Sequence, residues 1–223
     1  MTAIYLSWSG GKDSALALFH LRQSSRWRVA GLLTTVSETY RRTSIHGVRR
    51  ALLHRQAASL GLDVVEVPLP VPCTDEQYAA RMANILEDAK SRGIQAVAFG
   101  DIFLEDVRAY REARMQEAGM EAVFPLWGRD SRDVAEEIIG LGFSARLVAI
   151  DTEQLDSRFL GRNYDRALLD GLPAGIDPCG ERGEFHTFVS DGPGFRFPVA
   201  CAMGPVERRG RFWFQDLLPA DPG

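Results

Sequence analysis

The sequence predicts a doubly wound α/β fold, a Rossmann-like parallel sheet with helices on both faces, followed by a smaller C-terminal α+β domain. Short apolar segments alternate with helical segments over the first half of the chain. A glycine-rich turn joins the first apolar segment to the first helical one. From about Thr152 the rhythm changes to short helices, an irregular stretch and short strands. We place the boundary near residue 135, giving domains of residues 1–135 and 136–223.

The first region contains five short β-prone apolar runs, which we predict to be strands. They are Ile4–Trp8, Trp27–Val36, Asp63–Val67, Ala96–Phe99 and Val123–Leu126. Because helical segments alternate with these strands, we expect a parallel sheet with helices on both faces, and the right-handedness of such crossovers then restricts its topology.

The predicted helices between these strands carry apolar residues at helical spacing or a terminal signal. They are Ala15–Leu21, Gly47–Leu60, Asp75–Arg92 and a segment from Asp130 or Ser131 to Ile139. Thr74 with Gln77 forms a capping box at the start of the third helix, and Gly93 ends it.

The C-terminal region has weaker patterns. We predict strands at Ala145–Ile150, Phe185–Val189 and Arg211–Phe214, short helices at Leu155–Leu160 and Tyr164–Leu172, and a frayed tail at Pro219–Gly223.

Composition limits the possible functions. The chain has 223 residues, 45% of them hydrophobic and 25% charged, with a net charge of -4. This acidic balance gives no general attraction to nucleic acid. The first strand begins almost at once, without room for a signal peptide, and no apolar run approaches a membrane span, so we expect a cytoplasmic protein. Three cysteines without a C-x-x-C pair predict reduced, mostly buried thiols.

The turn between the first strand and helix has the features of an anion site. Glycines allow a close approach of the backbone, and the following helix presents its N–H groups and positive dipole end. A G-x-x-x-x-G-K-[ST] loop is excluded, because Leu6 replaces the first glycine and Asp13 follows the lysine. The alternative is an ordinary serine-capped turn.

Two further loops follow strands that end at the same edge of the sheet. Gly100 and Asp101 follow the fourth strand, and residues 37–47 follow the second. Ligands bind at this edge in doubly wound sheets, so we expect the three loops to converge. Arg41, Arg42 and His46 either reach the site from the second loop or are solvated surface charges.

A second cluster of reactive residues lies at 177–189. Glu181 and Glu184, flanked by glycines, can bind an amine or a metal or accept a proton. A glycine-rich turn with solvated carboxylates is equally compatible with the pattern. His186, between two phenylalanines on a predicted strand, is either a site residue or a structural histidine.

The motifs together resemble the diphthine ammonia ligase family of PP-loop ATP pyrophosphatases. The resemblance covers nearly the whole chain and is carried by Ser9–Ser14, Gly100–Ile102, Pro125–Trp127 with Asp130, and Cys179–Val189 with Asp191–Pro193. It implies an adenine nucleotide alpha hydrolase fold, in which residues 1–135 bind ATP and residues 136–223 line the acceptor site.

The family's activity implies an ATP-dependent carbon-nitrogen ligase that adenylates a carboxylate and transfers ammonia, releasing AMP and pyrophosphate. The implied ligands are ATP, Mg²⁺, ammonia and a carboxylate-bearing small molecule or protein, and a homodimer is compatible with the sequence. The resemblance assigns catalysis to Lys12, Asp13, Glu181 and Glu184, and magnesium binding to Asp13. It assigns nucleotide binding to Ser9, Gly10, Gly11, Lys12, Asp13, Ser14, Gly100 and Asp101, and acceptor binding to Glu181, Gly183, Glu184, His186 and Thr187.

Three points stay open. His186 stands where we expect a second acid in members that make diphthamide. Lys12 and Lys90 are the only lysines beside many arginines, a bias that indicates a GC-rich bacterial genome. The acceptor is therefore either diphthine or another carboxylate. A PP-loop tRNA-modifying enzyme, such as a thiolase using Cys179, and a regulatory module that binds adenine nucleotides without turnover are the alternative functions.

Overall fold

A computed structural model describes residues 1–39, 42–43 and 47–221, and it confirms the predicted fold class. Its first sheet consists of β1 (Thr2–Ser7), β2 (Trp27–Ser37), β3 (Val64–Leu69), β4 (Ala96–Ala98) and β5 (Glu121–Val123). All neighbouring strands are parallel, in the order β3-β2-β1-β4-β5. The strand order reverses between β1 and β4, where doubly wound sheets bind ligands.

Helices cover both faces of this sheet. They are α1 (Lys12–Gln23), α2 (Arg50–Leu60), α3 (Asp75–Ser91), α4 (Glu105–Glu117) and α5 (Ser131–Gly140). Successive β1 side chains point to opposite faces. Ile4 and Leu6 join a core with α1, α2 and α5, whereas Tyr5 joins a separate core with α3 and α4.

The C-terminal sheet is smaller and antiparallel. Its strands are β6 (Ser144–Asp151), β7 (Phe185–Asp191), β8 (Cys201–Arg209) and β9 (Phe212–Pro219), in the order β7-β6-β9-β8. A 3₁₀ turn (Ser157–Phe159) and α6 (Arg166–Gly171) lie between β6 and β7. Leu147 and Phe188 belong to the same core as Ile4, so the second sheet packs on the α1 side of the first.

Several element predictions were wrong in detail. The strand predicted at Val123–Leu126 is β5 (Glu121–Val123), and the chain turns at residues 125–128. The first of the two predicted short helices is only the 3₁₀ turn. Neither α4 nor β8 was predicted. The tail is ordered through Ala220, whose N–H donates to Ala200, and Pro222 and Gly223 lie outside the described residues.

The predicted environment of the cysteines holds in part. All three are free, and Cys179 is buried, but Cys73 is exposed. Within the described part of the chain, every helix is too short or too polar to cross a membrane.

Candidate active site

The glycines of the turn allow two close approaches. Gly10 has a φ of +81°, which glycine adopts most readily, and a Cβ there would lie 2.9 Å from Gln56 Oε1. A Cβ on Gly11 would lie 3.0 Å from the carbonyl oxygen of Thr187. The turn is therefore packed directly against α2 and β7, and neither position has room for a side chain without displacement.

Hydroxyl groups and a helix end make this turn suitable for an anion. Ser9 Oγ accepts from Gly11 N at 3.2 Å and lies 3.3 Å from Ser14 Oγ. Gly11 is the N-cap of α1 and provides no side-chain cap, so the positive end of the helix dipole faces the turn. We call Ser9–Ser14 the phosphate loop from here on.

The loop after β4 meets the phosphate loop, as predicted. A Cβ on Gly100 would lie 3.1 Å from the Asp13 carbonyl carbon and 3.2 Å from Ser14 N. Asp101 forms an ion pair with Arg111 of α4, with 2.7 Å between Nε and Oδ2. The absence of a Gly100 side chain thus brings the end of β4 against the start of α1.

The loop after β2 is described only in part, and Arg41 and His46 lie outside the described residues. Thr43 lines the same cavity as Ser9, so this loop also reaches the site. Arg42 binds Asp216 of β9 at 2.7 Å and Glu207 of β8 at 2.9 Å. Its guanidinium is therefore held by the C-terminal sheet.

Lys12 joins the phosphate loop to the cluster at 177–184. Its side chain is 1% exposed, and Nζ donates to both Asp13 carboxylate oxygens, at 3.0 and 2.9 Å, and to the Cys179 carbonyl. The rings of Tyr164 and Phe185 lie 5.3 and 5.4 Å from Nζ. Burial alone would lower the pKa of Lys12, but the Asp13 carboxylate outweighs it and raises that pKa, so the ammonium stays charged.

In the segment Asp177–Glu184, which we call the acidic loop, carboxylates accept hydrogen bonds from backbone N–H groups of the same segment. Glu184 is 1% exposed and accepts from Asp177 N and from Arg182 N, both at 3.0 Å. Asp177 Oδ2 accepts from Glu181 N at 2.7 Å. These bonds shape the loop, so the geometry gives Glu184 a positioning function within it.

Glu181 is the acid of this loop that reaches the first domain. Its Oε1 accepts from Ile102 N, directly after Gly100 and Asp101, at 2.8 Å. Burial raises the pKa of Glu181 to about 7, and the negative charges of Asp13 and Asp101 contribute to the rise. A carboxyl group with this pKa can exchange a proton near neutral pH.

Three residues of the predicted acceptor site lie at the end of the acidic loop and the start of β7. They are Gly183, His186 and Thr187. Thr187 Oγ1 accepts from Lys12 N at 3.1 Å, which fixes β7 to the first turn of α1. Burial lowers the pKa of His186 to about 4, helped by the charge of Lys12, so the imidazole is neutral at pH 7. Gly183 adopts a φ of +84° in the turn before β7.

Cys179 is a buried thiol. Its Sγ donates to the Ser131 carbonyl at 3.3 Å, and burial raises its pKa to about 12. Because the thiolate is the nucleophilic form of cysteine, this environment disfavours a thiolase mechanism.

A cavity of about 980 Å³ opens beside the phosphate loop, on the face covered by α3 and α4. This volume is within the range of small-molecule sites. Near the loop it is lined by Ser7, Trp8, Ser9, Leu33, Thr34, Thr35 and Phe99. These residues are mainly from the carboxyl ends of β1, β2 and β4, so one end of the cavity reaches the predicted ligand-binding edge, while the rest lies between α3 and α4.

Among the described residues, no group of three acidic, histidine or cysteine side chains could hold a metal ion. Mg²⁺ commonly binds one or two carboxylates together with phosphate oxygens. The Asp13 side chain is 28% exposed beside the phosphate loop and so fits such a role.

Sequence reasoning missed Gln56, which is fully buried behind the phosphate loop. Its Nε2 donates to the carbonyls of Gly10 at 3.0 Å and Val189 at 2.6 Å. Its Oε1 accepts from Trp8 Nε1 at 3.0 Å. The available signal was a polar residue on the apolar face of a predicted helix.

Comparison with models of protein families identifies the family of this chain. A model of the diphthamide synthase N-terminal domain matches residues 1–122, and a model of the diphthamide synthase C-terminal domain matches residues 130–217. The chain belongs to the diphthamide synthase family. The suspected family relationship is thereby confirmed.

Proteins named diphthine-ammonia ligase are similar to part of the chain. The Schizosaccharomyces pombe protein is 27% identical over 107 residues, which cover 46% of this chain and 18% of that protein. The proteins from Bos taurus and Homo sapiens are 27% and 25% identical over 118 residues, or 51% of this chain and 44% of theirs. The chain thus spans less than half the length of these relatives.

Proposed function

We propose that this member of the diphthamide synthase family is an ATP-dependent ligase that forms an amide from a carboxylate and ammonia. The observation that carries the proposal is the junction of two loops. Lys12 is part of the phosphate loop, and its Nζ donates to the carbonyl of Cys179 in the acidic loop. Glu181 of the acidic loop in turn binds Ile102 N, beside the loop after β4.

In the proposed complex, the adenosine of ATP occupies the cavity near Thr34, Thr35 and Phe99. The cavity adjoins Ser9, so a nucleoside there would direct its phosphates to the phosphate loop. The N-terminus of α1 and the hydroxyls of Ser9 and Ser14 would then bind the pyrophosphate portion. Gly100 lies against the same loop, and Gly100 and Asp101 would complete the nucleotide site.

The proposed chemistry has two steps. A carboxylate oxygen of the acceptor attacks the α-phosphorus, the bond to the bridging oxygen breaks, and pyrophosphate leaves. Ammonia then attacks the acyl carbon, and AMP departs with one oxygen of the original carboxylate. The charged Lys12 and the α1 dipole stabilise the negative charge that develops on the leaving pyrophosphate.

Only neutral ammonia carries the lone pair needed for attack, and the amine must lose a proton afterwards. We propose that Glu181 accepts this proton. Glu181 belongs to the acidic loop and reaches the loop after β4 through Ile102 N, and its pKa is raised to about 7. Glu184 positions the acidic loop by accepting two backbone N–H groups. Gly183, His186 and Thr187 form the acceptor side of the site, with His186 neutral.

Magnesium and the domain organisation complete the proposal. When bound, Mg²⁺ would neutralise phosphate charge, with Asp13 and phosphate oxygens as its ligands. Residues 1–135 would bind ATP and residues 136–223 the acceptor. The acceptor is diphthine or another carboxylate, carried by a protein or by a small molecule.

Product analysis tests this proposal. The purified chain is incubated with ATP, Mg²⁺ and ammonium, together with a panel of carboxylate metabolites or translation elongation factors. We expect one acceptor to give equal amounts of AMP and pyrophosphate and an amide product. Formation of ADP and phosphate, or ATP binding without turnover for every acceptor, would argue against the ligase.

A matched variant makes the assay specific to the site. Asp13 and Asp133 are both acids in the first turn of a helix, but Asp133 is exposed and belongs to α5, not to the helix that follows the phosphate loop. Turnover by the Asp133→Ala variant and not by the Asp13→Ala variant would assign the activity to the phosphate loop. A shift in the gel mobility of tRNA would instead favour the tRNA-modifying alternative.

A further inference from the structure

Gln56 connects three segments that converge behind the phosphate loop. It lies on α2, is fully buried, and has hydrogen-bond partners for both atoms of its amide group. The partners are Gly10 of the phosphate loop, Val189 of β7 and Trp8 at the end of β1. A buried amide normally requires such partners, and here Gly10 belongs to the phosphate loop and Trp8 lines the proposed nucleotide site.

The position of Gly10 makes this contact specific. Gly10 has left-handed backbone geometry, and a Cβ on it would lie only 2.9 Å from Gln56 Oε1. The Gly10 carbonyl also accepts from Val189 N at 2.9 Å. The peptide at Gly10 is thus held from two sides, by an α2 side chain and by the β7 backbone.

We infer that Gln56 is a positioning residue that fixes the phosphate loop against β7 in the geometry required for the pyrophosphate of ATP. It has no assigned role in the proposed mechanism and acts through its hydrogen bonds to Gly10, Trp8 and Val189. The inference rests on the proposed function, because it concerns the ATP-binding state of that loop. It predicts that loss of the amide weakens triphosphate binding more than monophosphate binding.

The test measures dissociation constants for ATP and AMP by calorimetry on the full chain. Gln56→Met nearly preserves volume but removes the hydrogen bonds to Gly10, Val189 and Trp8. We expect the dissociation constant for ATP to rise about tenfold or more, and that for AMP by less than about threefold. Equal losses for the two nucleotides, or no loss for either, would overturn the inference.

Ser59 supplies the matched control. It is also fully buried on α2, and its hydroxyl binds the backbone of Phe197 in the C-terminal region, whereas Gln56 binds the phosphate loop. We expect Ser59→Ala to leave the ratio of the two dissociation constants unchanged. A similar change of ratio in Ser59→Ala would show that general loosening of α2 explains the effect, and would overturn the inference.

A second variant covers the case in which Gln56→Met does not fold. Gln56→Glu keeps an acceptor for Trp8 but places a carboxylate oxygen against the carbonyls of Gly10 and Val189. Protonation restores one donor, so its ATP affinity relative to wild type should improve as the pH falls from 8 to 5.5. Failure to improve would overturn the inference. If wild type itself bound no ATP, the proposed function would fail first.

Discussion

Glu181 provides the sharpest link between the geometry of the acidic loop and a measurable quantity. Replacement by glutamine keeps an oxygen that can accept from Ile102 N but removes the titrating proton. Burial raises the pKa of this carboxyl from 4.5 to about 7. Each pKa unit corresponds to about 1.4 kcal/mol, so the rise represents a differential free energy of about 3 kcal/mol.

The sign follows from where the proton is held more tightly. Between pH 4.5 and about 7 the unfolded carboxyl has lost its proton while the folded one retains it. The contribution of Glu181 to the free energy of unfolding is thus full below pH 4.5 and lost as the pH rises to 7. Glutamine has no such dependence. The free energy of unfolding of Glu181→Gln, relative to that of wild type, should therefore rise by about 3 kcal/mol as the pH is raised from 4 to 8.

Urea unfolding of both proteins across this pH range measures the difference directly. Glu105→Gln, on the exposed start of α4, serves as the control for replacing a glutamate by glutamine. The same Glu181→Gln variant should lose about a hundredfold in turnover, because it cannot accept the proton of the amine. A pH-independent difference in stability would refute the buried-acid reasoning, and unchanged turnover would refute its role as base.

Three further substitutions test the other assignments. Asp13→Ala should abolish turnover, because it removes the partner of Lys12 and the proposed magnesium ligand. Product analysis measures this, and residual turnover above about one per cent of wild type would contradict the assignment. Glu184→Ala should lower the free energy of unfolding by about 2–4 kcal/mol, because two buried N–H groups lose their acceptor, while ATP affinity by calorimetry stays within a few-fold. Lost ATP affinity would place Glu184 in the nucleotide site. Cys179→Ser should have nearly the turnover of wild type, and an inactive variant would favour the thiolase mechanism. In the native protein, Cys179 should resist modification by maleimide at pH 8, whereas the exposed Cys73 should react.

Local patterns were sufficient for the first four strands and the first three helices of the fold. The phosphate loop was predicted because a strand, two glycines and a helix agree at adjacent positions. The third helix was predicted from its capping box, which the structure shows in full at Thr74 and Gln77. Such signals depend on neighbours in sequence and require no tertiary contact.

Elements that depend on tertiary contacts were missed. Helix α4 is highly charged and buries only Met115, so its apolar pattern is too weak to detect. Strand β8 carries a glycine and a proline and is mostly exposed at the edge of its sheet. The contacts of Gln56 and Thr187 with the phosphate loop join residues far apart in sequence. The anion-binding turn and the candidate acids Glu181 and Glu184 were predicted from the residues themselves, the specific roles were assigned through family resemblance, and those roles stay predictions.

Isotope transfer is the most direct test of the proposed ligase. An acceptor that supports turnover is labelled with ¹⁸O in its carboxylate, and the products are analysed by mass spectrometry. Attack of the carboxylate on the α-phosphorus predicts one ¹⁸O atom in AMP and none in pyrophosphate. Unlabelled AMP would show that water or another nucleophile attacks ATP, and would contradict the adenylation of a carboxylate at this site.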